Sequence, residues 1–505
     1  MVIRLSAAEI IWRAWTPAAL AEAAASQRPI FLFLAPAWSE RAREMRHGAL
    51  RDPQVVAHLN REFVSIAVDP DERPDLGSRY GLGAWPSTCI LVGEGDYLTG
   101  GTFFNPDELM MLLDEVTRRW SLGRAGIMRQ IERYRTGQQL PELLVDRLEY
   151  GLIDVLEERV LQDMDLEHGG FGTAPKYPPI EALEYLLIDA PDAEHMPAAP
   201  LVRGLAHTLS AMAAGEVHAR DRIGGFYRLA ASADWSDPAN ERTLLTNARL
   251  LRLYAAAAYQ YPAGTTPDDP AWAPEREAWR STGRELVGLL DALRLDAAEP
   301  RRGWSRAYIP GAGPCSSDLL SSAAAARALI ESYRLSAADL VSTAQIRDAF
   351  LWLSSLSHEA LTSAHLSAVT EVGEALISAC LTTGDLTWWQ RSLSLARAVC
   401  QRRRSDWGGL CDVDPAELAG LGLREAATYP EQNAAAAAWL SRLDWLGHRQ
   451  LGRPPEFAHQ LEPMIRWGAG FFYSSGWEVA AWGGPLLRVL ALANPDNRPS
   501  GTSQT

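Results

Sequence analysis

The sequence predicts two parts of different architecture, an α/β layer sandwich followed by an all-α region. Short apolar and β-branched runs such as PIFLFLA (29–35) and FVSIAVD (63–69) are typical of buried strands, and they alternate with helical stretches up to about residue 120. From about residue 140 the strand period disappears, and roughly a dozen helical stretches follow, separated by Gly/Pro/Asp loops. The predicted fold class is therefore multidomain, α/β plus all-α.

The first part reads as strand, helix, strand, then a hairpin and a closing helix. A helical stretch at 39–60 joins the first two strands, and the acidic segment DPDERPD leads into a further short helix. STCILV (87–92) and YLTGGTFF (97–104) are separated by GEGD, which is a hairpin turn signal. NPDELMMLLDEVTRRW then opens with an Asn cap and a Pro and continues as an amphipathic helix.

The second part contains a recurring loop between its helices. EHGGFG (167–172) and DRIGGFYR (221–228) lie 55 residues apart, and RRGWSR (301–306) and DWGGLCD (406–412) resemble them. A unit of this length holds two helices and two loops, which indicates stacked helical hairpins. The region has room for about six hairpins, so we predict a closed (α/α)6 toroid, with an open helical solenoid as the alternative.

Composition and charge exclude several classes of partner. The chain has 505 residues, is 47% hydrophobic, and carries a formal net charge of −15 without any basic block. This argues against a nucleic-acid or anionic-membrane surface, and the apolar runs are far shorter than the ~20 residues of a membrane span. No secretion signal is visible and the five cysteines are scattered, which predicts reduced thiols and a cytoplasmic location. We predict no cofactor and no metal site.

Several segments together resemble a known two-part family. They are RPIFLFLA, FVSIAVDPDERPD, GAWPSTCIL, GGTFF, GGFGTAPKYP, GGFYR, DWSDPANERTLLTNARLL and WGGLCD. In this order they resemble the proteins related to spermatogenesis-associated protein 20. The resemblance implies a thioredoxin-like domain fused to a toroid similar to those of six-hairpin glycosidases and N-acylglucosamine epimerases, in a degenerate and shortened form. The predicted boundaries are a thioredoxin-like domain at 1–122, a linker at 123–140, a toroid at 141–495 and a disordered tail at 496–505.

The resemblance places the family's two redox cysteines on Ser39 and Ala42. A thiol at a helix N-terminus is activated because the helix dipole stabilises the thiolate, and neither residue here has sulfur. Dithiol exchange at this position is therefore not expected. Ser39 as a nucleophile would need a base within ~3 Å, and His47 lies about 12 Å along the helix. We predict that Ser39 instead caps the helix.

Two further features of the first part have competing interpretations. Trp85-Pro86 matches the family's cis-proline position, which indicates either a groove for an extended polypeptide or a turn that only shapes the fold. Cys89 follows in a strand and is predicted to be a packing residue. The acidic segment DPDERPD favours helix capping over a cation site.

The second part contains one motif that the family implies to be functional. The segment Pro238–Asn247 matches it, but Ala239 replaces a histidine and Thr246 an aspartate, which removes obvious proton carriers. Glu241 remains the most plausible acid–base group or polar anchor. A helix-start salt-bridge cluster is the equal alternative. Residues near Glu241 that would complete a pocket are Tyr227, Arg228, Trp235, Arg242 and Asn247.

Other pocket candidates lie in the loops of the second part. Lys176 is singled out by its surroundings, and Asp318, Asp406 and Glu431 are possible second carboxylates at helix starts or loops. Tryptophans beside glycine suit stacking on a sugar or the packing of loops over helix ends, and packing is favoured. They are Trp304, Trp407, Trp467, Trp477 and Trp482.

The sequence thus predicts a thioredoxin-fold protein without a redox dithiol whose toroid binds a carbohydrate-like small molecule. Any enzymatic activity would be that of a sugar-directed hydrolase or an epimerase/isomerase. The alternative is a non-catalytic, chaperone-like scaffold that holds a polypeptide in the thioredoxin groove. A redox enzyme is not expected.

Overall fold

The computed structural model describes residues 9–136, 145–260, 273–296, 298–299 and 302–493. The chain divides into two compact units, one formed by Met1–Leu140 with Val413–Ala427 and the other by Pro141–Asp412 with Thr428–Thr505. The sequence-based boundaries assign 413–427 to the toroid, whereas the structure places this segment, here called the strap, in the first unit. The predicted disordered tail at 496–505 lies outside the described residues.

The first unit is built on a mixed five-stranded sheet with the order β1-β3-β2-β4-β5. β2 pairs with β3 in parallel and with β4 antiparallel, so Leu32 lies opposite both Ile66 and Cys89. β1, only two residues long, was not predicted. The strands are β1 Trp12–Arg13, β2 Ile30–Leu34, β3 Val64–Val68, β4 Ser87–Val92 and β5 Asp96–Gly101.

Helices cover both faces of this sheet, because alternate side chains of each strand point to opposite faces. Phe31 and Phe33 enter one apolar cluster, and Leu32 and Leu34 enter another. A 3-10 turn, Ala49–Arg51, lies between the second and third helices. The helices are α1 Pro17–Ser26, α2 Glu40–His47, α3 Pro53–Glu62, α4 Pro74–Tyr80 and α5 Pro106–Thr136.

Helix α5 spans the predicted junction between the sandwich and the linker. Asn105 accepts a hydrogen bond from the Glu108 amide at 2.9 Å and its own amide donates to the Glu108 side chain, as the predicted cap requires. The helix is kinked at Gly123, whose backbone is non-helical (φ −139°, ψ 19°). The predicted linker therefore begins at the kink and continues the helix to Thr136.

The strap completes the apolar face formed by α1 and α4. Val413 and Leu423 are buried in the same cluster as Trp15. The Trp15 indole donates to the Gly422 carbonyl at 3.2 Å, and the Arg73 guanidinium donates to the Leu421 carbonyl at 3.1 Å. The strap contains a 3-10 turn, Pro415–Glu417, and the short helix α17 Leu418–Leu421.

The second unit consists of six helix pairs, each with an outer helix followed by an inner one. The first inner helix consists of two short α-helical parts joined by a π turn, Tyr185–Asp189. Short helix α14 His358–Ser363 and two-stranded β6 Arg242–Thr243 with β7 Ala307–Tyr308 lie in the connections. The outer helices are α6 Gly151–Gln162, α9 Ala199–Ala214, α11 Ala273–Ala292, α13 Thr343–Ser355, α16 Leu386–Arg402 and α19 Ala458–Gly470, and the inner ones are α7 Ile180–Glu184 with α8 Ala190–Asp192, α10 Leu244–Gln260, α12 Leu319–Leu335, α15 Leu366–Thr383, α18 Pro430–Leu451 and α20 Gly483–Ala493.

The inner helices form a closed ring, which confirms the toroid and excludes the open solenoid. Each inner helix contacts the next along the chain, and α20 contacts the first one again. At this closure Arg488 of α20 forms an ion pair with Asp189, and the arginine is 1% exposed. Gly483 lies directly against the Tyr185 ring, where a Cβ would collide.

Candidate functional site

The position of the family's dithiol is a capped helix start. Ser39 is buried, and its hydroxyl accepts a hydrogen bond from the Ala42 amide at 3.2 Å, which confirms the predicted cap of α2. The Trp85-Pro86 peptide bond is cis, as the resemblance implied. Trp85 is half-buried and packs against the apolar cluster that the strap joins. No contact tests the predicted peptide groove, which stays a prediction.

The carboxylates of the acidic segment after β3 form local hydrogen bonds and ion pairs. Asp69 accepts from the Ala37 amide at 3.1 Å, and Asp71 accepts from the Trp38 indole at 2.8 Å. Asp75 is held by Arg73 at 2.6 Å. The described residues contain no group of three or more His, Cys, Asp or Glu placed to hold a metal ion.

Glu241 lies directly before β6 and is engaged in an ion pair. Its carboxylate accepts from the Arg228 guanidinium at 2.8 Å, and the side chain is 9% exposed. The neighbouring Arg242 is fully buried, forms an ion pair with Asp221, and donates to the Gly224 carbonyl at 2.7 Å. These contacts give both residues structural roles. The catalytic role predicted for Glu241 stays a prediction.

Arg242 and Lys176 are likewise held by contacts within the protein. Arg242 lies between the Tyr227 ring at 5.0 Å and the Tyr308 ring at 4.8 Å. The Lys176 ammonium is buried and donates to Asp165 at 2.5 Å, so the pKa of that carboxyl is well below its usual range. Trp235 is buried below the lysine, with the ammonium 5.4 Å from its ring centroid.

Asn247 clamps a recurring loop to an inner helix. Its side chain accepts from the Phe226 amide at 2.7 Å and donates to the Phe226 carbonyl at 2.9 Å. Asn433 makes the same pair of bonds with Leu410, at 2.8 and 3.0 Å. Both loops contain consecutive glycines, and Gly225 has a φ of +84°. The repeated motif read from the sequence therefore encodes a loop clamp.

The same loop geometry recurs around the ring. In four hairpins a single β-bridge joins the residue after the loop glycine to the segment that follows the outer helix. These loops connect outer to inner helices, so they all lie at the N-terminal ends of the inner helices. This end of the toroid is here called the mouth. The bridges are Met164–Phe171, His218–Phe226, Arg294–Trp304 and Arg404–Leu410.

The three predicted second carboxylates do not form a cluster in the contacts of the described residues. Asp318 caps α12 by accepting from the Ser321 amide at 2.8 Å. Asp406 lies exposed in its loop, and Glu431 lies exposed in the first turn of α18. Their participation in a ligand site stays a prediction.

The tryptophans beside glycine pack against other aromatic rings, and their stacking on a sugar stays a prediction. The Trp407 and Trp467 ring centroids are 4.5 Å apart, and Trp467 also meets Trp482 edge-on. Trp304 packs on Trp352 in the same edge-on way. Trp477 is half-buried, and its ring centroid lies 5.3 Å from that of Phe171, so Trp477 also packs against another aromatic ring.

A network of buried charges, which the sequence analysis missed, fills the interior of the inner-helix ring. Glu331 is its centre: the carboxylate accepts from Arg252 at 2.6 Å and from Ser378 at 2.5 Å. Arg442 joins Glu374 at 2.7 Å from a fourth helix. The network comprises Arg249, Arg252, Arg327 and Arg442 with Glu181, Glu184, Glu331, Glu371 and Glu374.

The network is layered along the axis of the toroid. Glu331 of α12 and Arg442 of α18 lie more than three turns from the helix N-termini, and their side chains are 4% and 6% exposed. Glu181 and Arg249 lie close to the N-termini of α7 and α10, and their side chains are 37% and 24% exposed. The charges are thus sealed at depth and open to solvent toward the mouth.

The mouth-side layer is loosely paired. The Arg249 guanidinium lies 3.6 Å from Glu181 and 3.9 Å from Glu371, both beyond a hydrogen bond, and its Nε has no partner among the described residues. Burial raises the pKa of the Glu181 carboxyl, although its side chain is 37% exposed. Thr370, four residues before Glu374 and on the same face, is buried with an unpaired hydroxyl.

A sequence signal for this network existed but was weak. Helix α15 is apolar and small-residue-rich along most of its length, yet it carries Glu371 and Glu374. Glutamate is rarely buried unless it is paired, so two glutamates in such a helix indicate partners on neighbouring helices. The partners themselves lie 44 or more residues away in sequence and follow only from ring closure.

Comparisons with known proteins cover different shares of the chain. Residues 2–138 match the family model Thioredox_DsbH, a protein of unknown function, DUF255. Human spermatogenesis-associated protein 20 is 26% identical over 328 residues, which cover 58% of this chain and 39% of the relative. An uncharacterized protein of Caenorhabditis elegans is 29% identical over 269 residues, 49% of this chain and 36% of the relative. The matches thus span less than two fifths of these relatives' length.

Solved structures show partial similarity to this chain. A sugar epimerase from a ruminal bacterium matches 64% of this chain and 85% of its own, with 13% identity and a TM-score of 0.47. A structure titled DsbH Oxidoreductase matches 24% of this chain and 92% of its own, with 18% identity and a TM-score of 0.21.

No helix among the described residues has the length and apolarity that crossing a membrane would require. The described residues form a mixed sheet with helices on both faces and a closed ring of six helix pairs, which agrees with the fold that the resemblance implied. Residues 2–138 carry a thioredoxin-like domain of the DUF255 type, and the chain is homologous to spermatogenesis-associated protein 20.

Proposed function

We propose that the toroid binds a carbohydrate-like small molecule at its mouth, beside Glu181, Arg249 and Glu371, a position here called the recess. We also propose that the thioredoxin-like unit performs no dithiol exchange. The observation that carries the first part is Arg249, which lies between Glu181 and Glu371 without a hydrogen bond to either. Paired Arg–carboxylate groups in proteins usually approach to ~2.7–2.9 Å. Donors and acceptors of this layer therefore remain available, and a polyol supplies both in one molecule.

Enclosure and chemistry both favour a small polar ligand. Small-molecule sites are concave and hold a few convergent polar groups, and the ring of inner helices provides that form. The unpaired Thr370 hydroxyl adds a neutral hydrogen-bonding group one turn nearer the mouth than Glu374. A nucleic acid or an anionic membrane is not supported, because the recess is lined by carboxylates.

The raised pKa of Glu181 bears on catalysis. Burial raises the pKa of the Glu181 carboxyl, the direction that suits a group that donates a proton to a sugar oxygen in hydrolysis or isomerisation. Hydrolysis of aryl glycosides, and exchange of a sugar carbon-bound proton in heavy water, would report such activities.

The test of binding is a thermal-shift titration of the full chain with neutral sugars. We expect a concentration-dependent rise in Tm that disappears in Arg249→Met, which keeps the side-chain bulk and removes the charge. Arg284→Met is the matched control, because Arg284 lies half-exposed on outer helix α11 beside Glu277. Indifference to every sugar, or equal loss in both variants, would contradict the proposal.

The second part of the proposal rests on the missing sulfur. Ser39 and Ala42 occupy the helix start, and the pKa values of the Cys89 and Cys400 thiols are raised to about 12 by burial, so neither thiol is activated. We expect no reduction of insulin above the dithiothreitol background. None of the five cysteines is in a disulfide, which supports the proposed reducing, cytoplasmic location.

A further inference from the structure

The charges at the mouth side of the network are not balanced. Glu181 and Glu371 share the Arg249 guanidinium. Two more carboxylates, Glu184 and Glu478, lie close enough to Glu181 for their negative charges to add to the rise in its pKa, after the larger effect of burial. Arg252 lies deeper and is engaged by Glu184 at 2.5 Å and by Glu331 at 2.6 Å. The recess therefore presents more negative than positive charge to a ligand.

The deeper arginines cannot compensate this excess, because their hydrogen bonds are committed. Arg442 donates to Glu374 at 2.7 Å, and Arg327 contacts Glu331, Glu371 and Glu374 at 3.0–3.3 Å. Releasing either to a ligand would break ion pairs with buried carboxylates, which is costly. Among the four arginines of the network, Arg249 is 24% exposed and the others are at most 11% exposed, so an incoming anion would find little accessible positive charge there.

From this geometry we infer that the recess selects a polyol that carries a protonated amine, as an amino sugar does, over neutral sugars and against phosphorylated or uronic sugars. The amine would donate to the Glu181 carboxylate, whose side chain is 37% exposed and which lies 3.6 Å from Arg249, beyond a hydrogen bond. The hydroxyl groups would bind Arg249 and Thr370. This inference rests on the proposed function and adds the charge class of the ligand.

The experiment compares four ligands by isothermal titration with the full chain at pH 7 and low salt. Glucosamine carries the charge, N-acetylglucosamine keeps the size without the charge, and glucose and glucose 6-phosphate provide the neutral and anionic cases. We expect glucosamine to bind about tenfold more tightly than N-acetylglucosamine or glucose, since a charge-assisted hydrogen bond is added, and glucose 6-phosphate to bind most weakly.

Variants assign the preference to the recess. In Glu181→Gln the advantage of glucosamine over glucose should vanish while glucose binding persists, whereas the surface control Glu277→Gln should leave all four affinities unchanged. Equal affinity for glucosamine and N-acetylglucosamine, or tightest binding of glucose 6-phosphate, would overturn the inference and leave the proposed function standing. Absence of binding by every sugar would overturn both.

Discussion

The loops at the mouth differ from the inner-helix faces beneath them in what their polar residues do, and the sequence does not reveal this difference. The loops carry the conspicuous motifs, and their polar residues are occupied: Asn247 clamps a loop and Glu241 pairs with Arg228. The inner helices look like plain alanine-rich segments, yet they hold the charge network centred on Glu331. A recurrent motif in this ring of hairpins thus marks how the hairpins are joined, and the network of charged side chains lies on the faces that the ring encloses.

The largest expected effect comes from removing the central carboxylate. Glu331→Gln should lower the free energy of unfolding by about 3–5 kcal/mol, because three buried arginines lose their shared partner. Urea denaturation monitored by far-UV circular dichroism measures this change. Glu277→Gln, on the surface of α11, should cost less than about 1 kcal/mol. A similarly small cost at Glu331 would show that the network is not a buried unit.

The loop clamps should be equivalent to one another. Asn247→Ala and Asn433→Ala each remove a side chain that makes three hydrogen bonds, two of them to the recurring loop, and should each cost about 2–3 kcal/mol. Parallel urea titrations of the two variants give both numbers. A loss of stability confined to one variant would show that the asparagine clamp stabilises only one of the two hairpins.

The far end of inner helix α18 supplies a pH prediction. Burial raises the pKa of Asp444 to about 6, although its carboxylate accepts from the amides of Glu456 and Phe457. Since the folded state holds this proton more tightly than the unfolded chain, the contribution of Asp444 to stability is full below about pH 4 and is lost as the pH rises through about 6.

Asp444→Asn should remove this pH dependence. The difference in unfolding free energy between Asp444→Asn and the parent chain should grow by about 2–3 kcal/mol in favour of the variant from pH 4 to pH 7. Urea titrations at several pH values provide the measurement. A constant difference across this range would refute the raised pKa.

The smallest expected effect concerns the degenerate dithiol position. Ser39→Ala should cost about 1 kcal/mol, the usual loss for one helix cap, and should leave sugar binding unchanged. Thermal unfolding of the parent and variant reports the cost. Loss of ligand binding in Ser39→Ala would place function where the account assigns only structure.

The main features of the fold could be predicted because they leave local signals. Strand β2 is an unbroken apolar run, β3 and β4 are mainly apolar and almost wholly buried, and the recurring glycine loops reveal the hairpin period. Strand β1, two residues long, has no such signal. The strap was assigned to the toroid by its position in the chain, because only the burial of Leu423 with Trp15 shows that it belongs to the first unit.

The candidate site could not be predicted in the same way. Glu181 and Arg249 are 68 residues apart, and nothing local distinguishes them from surface charges on amphipathic helices. Their proximity follows from the closure of the ring and from the depth at which each lies along its own helix. Ser39, by contrast, was predicted correctly as a cap because a capping interaction extends over only three residues.

The most direct test compares Glu181→Gln with Glu241→Gln, after circular dichroism has shown that both variants fold. The measurement is the dissociation constant of the tightest-binding sugar, determined by isothermal titration with the full chain. We predict that affinity falls at least about tenfold in Glu181→Gln and changes by less than about twofold in Glu241→Gln. The reverse pattern would return the site to the loop motif and contradict a ligand recess on the inner helices.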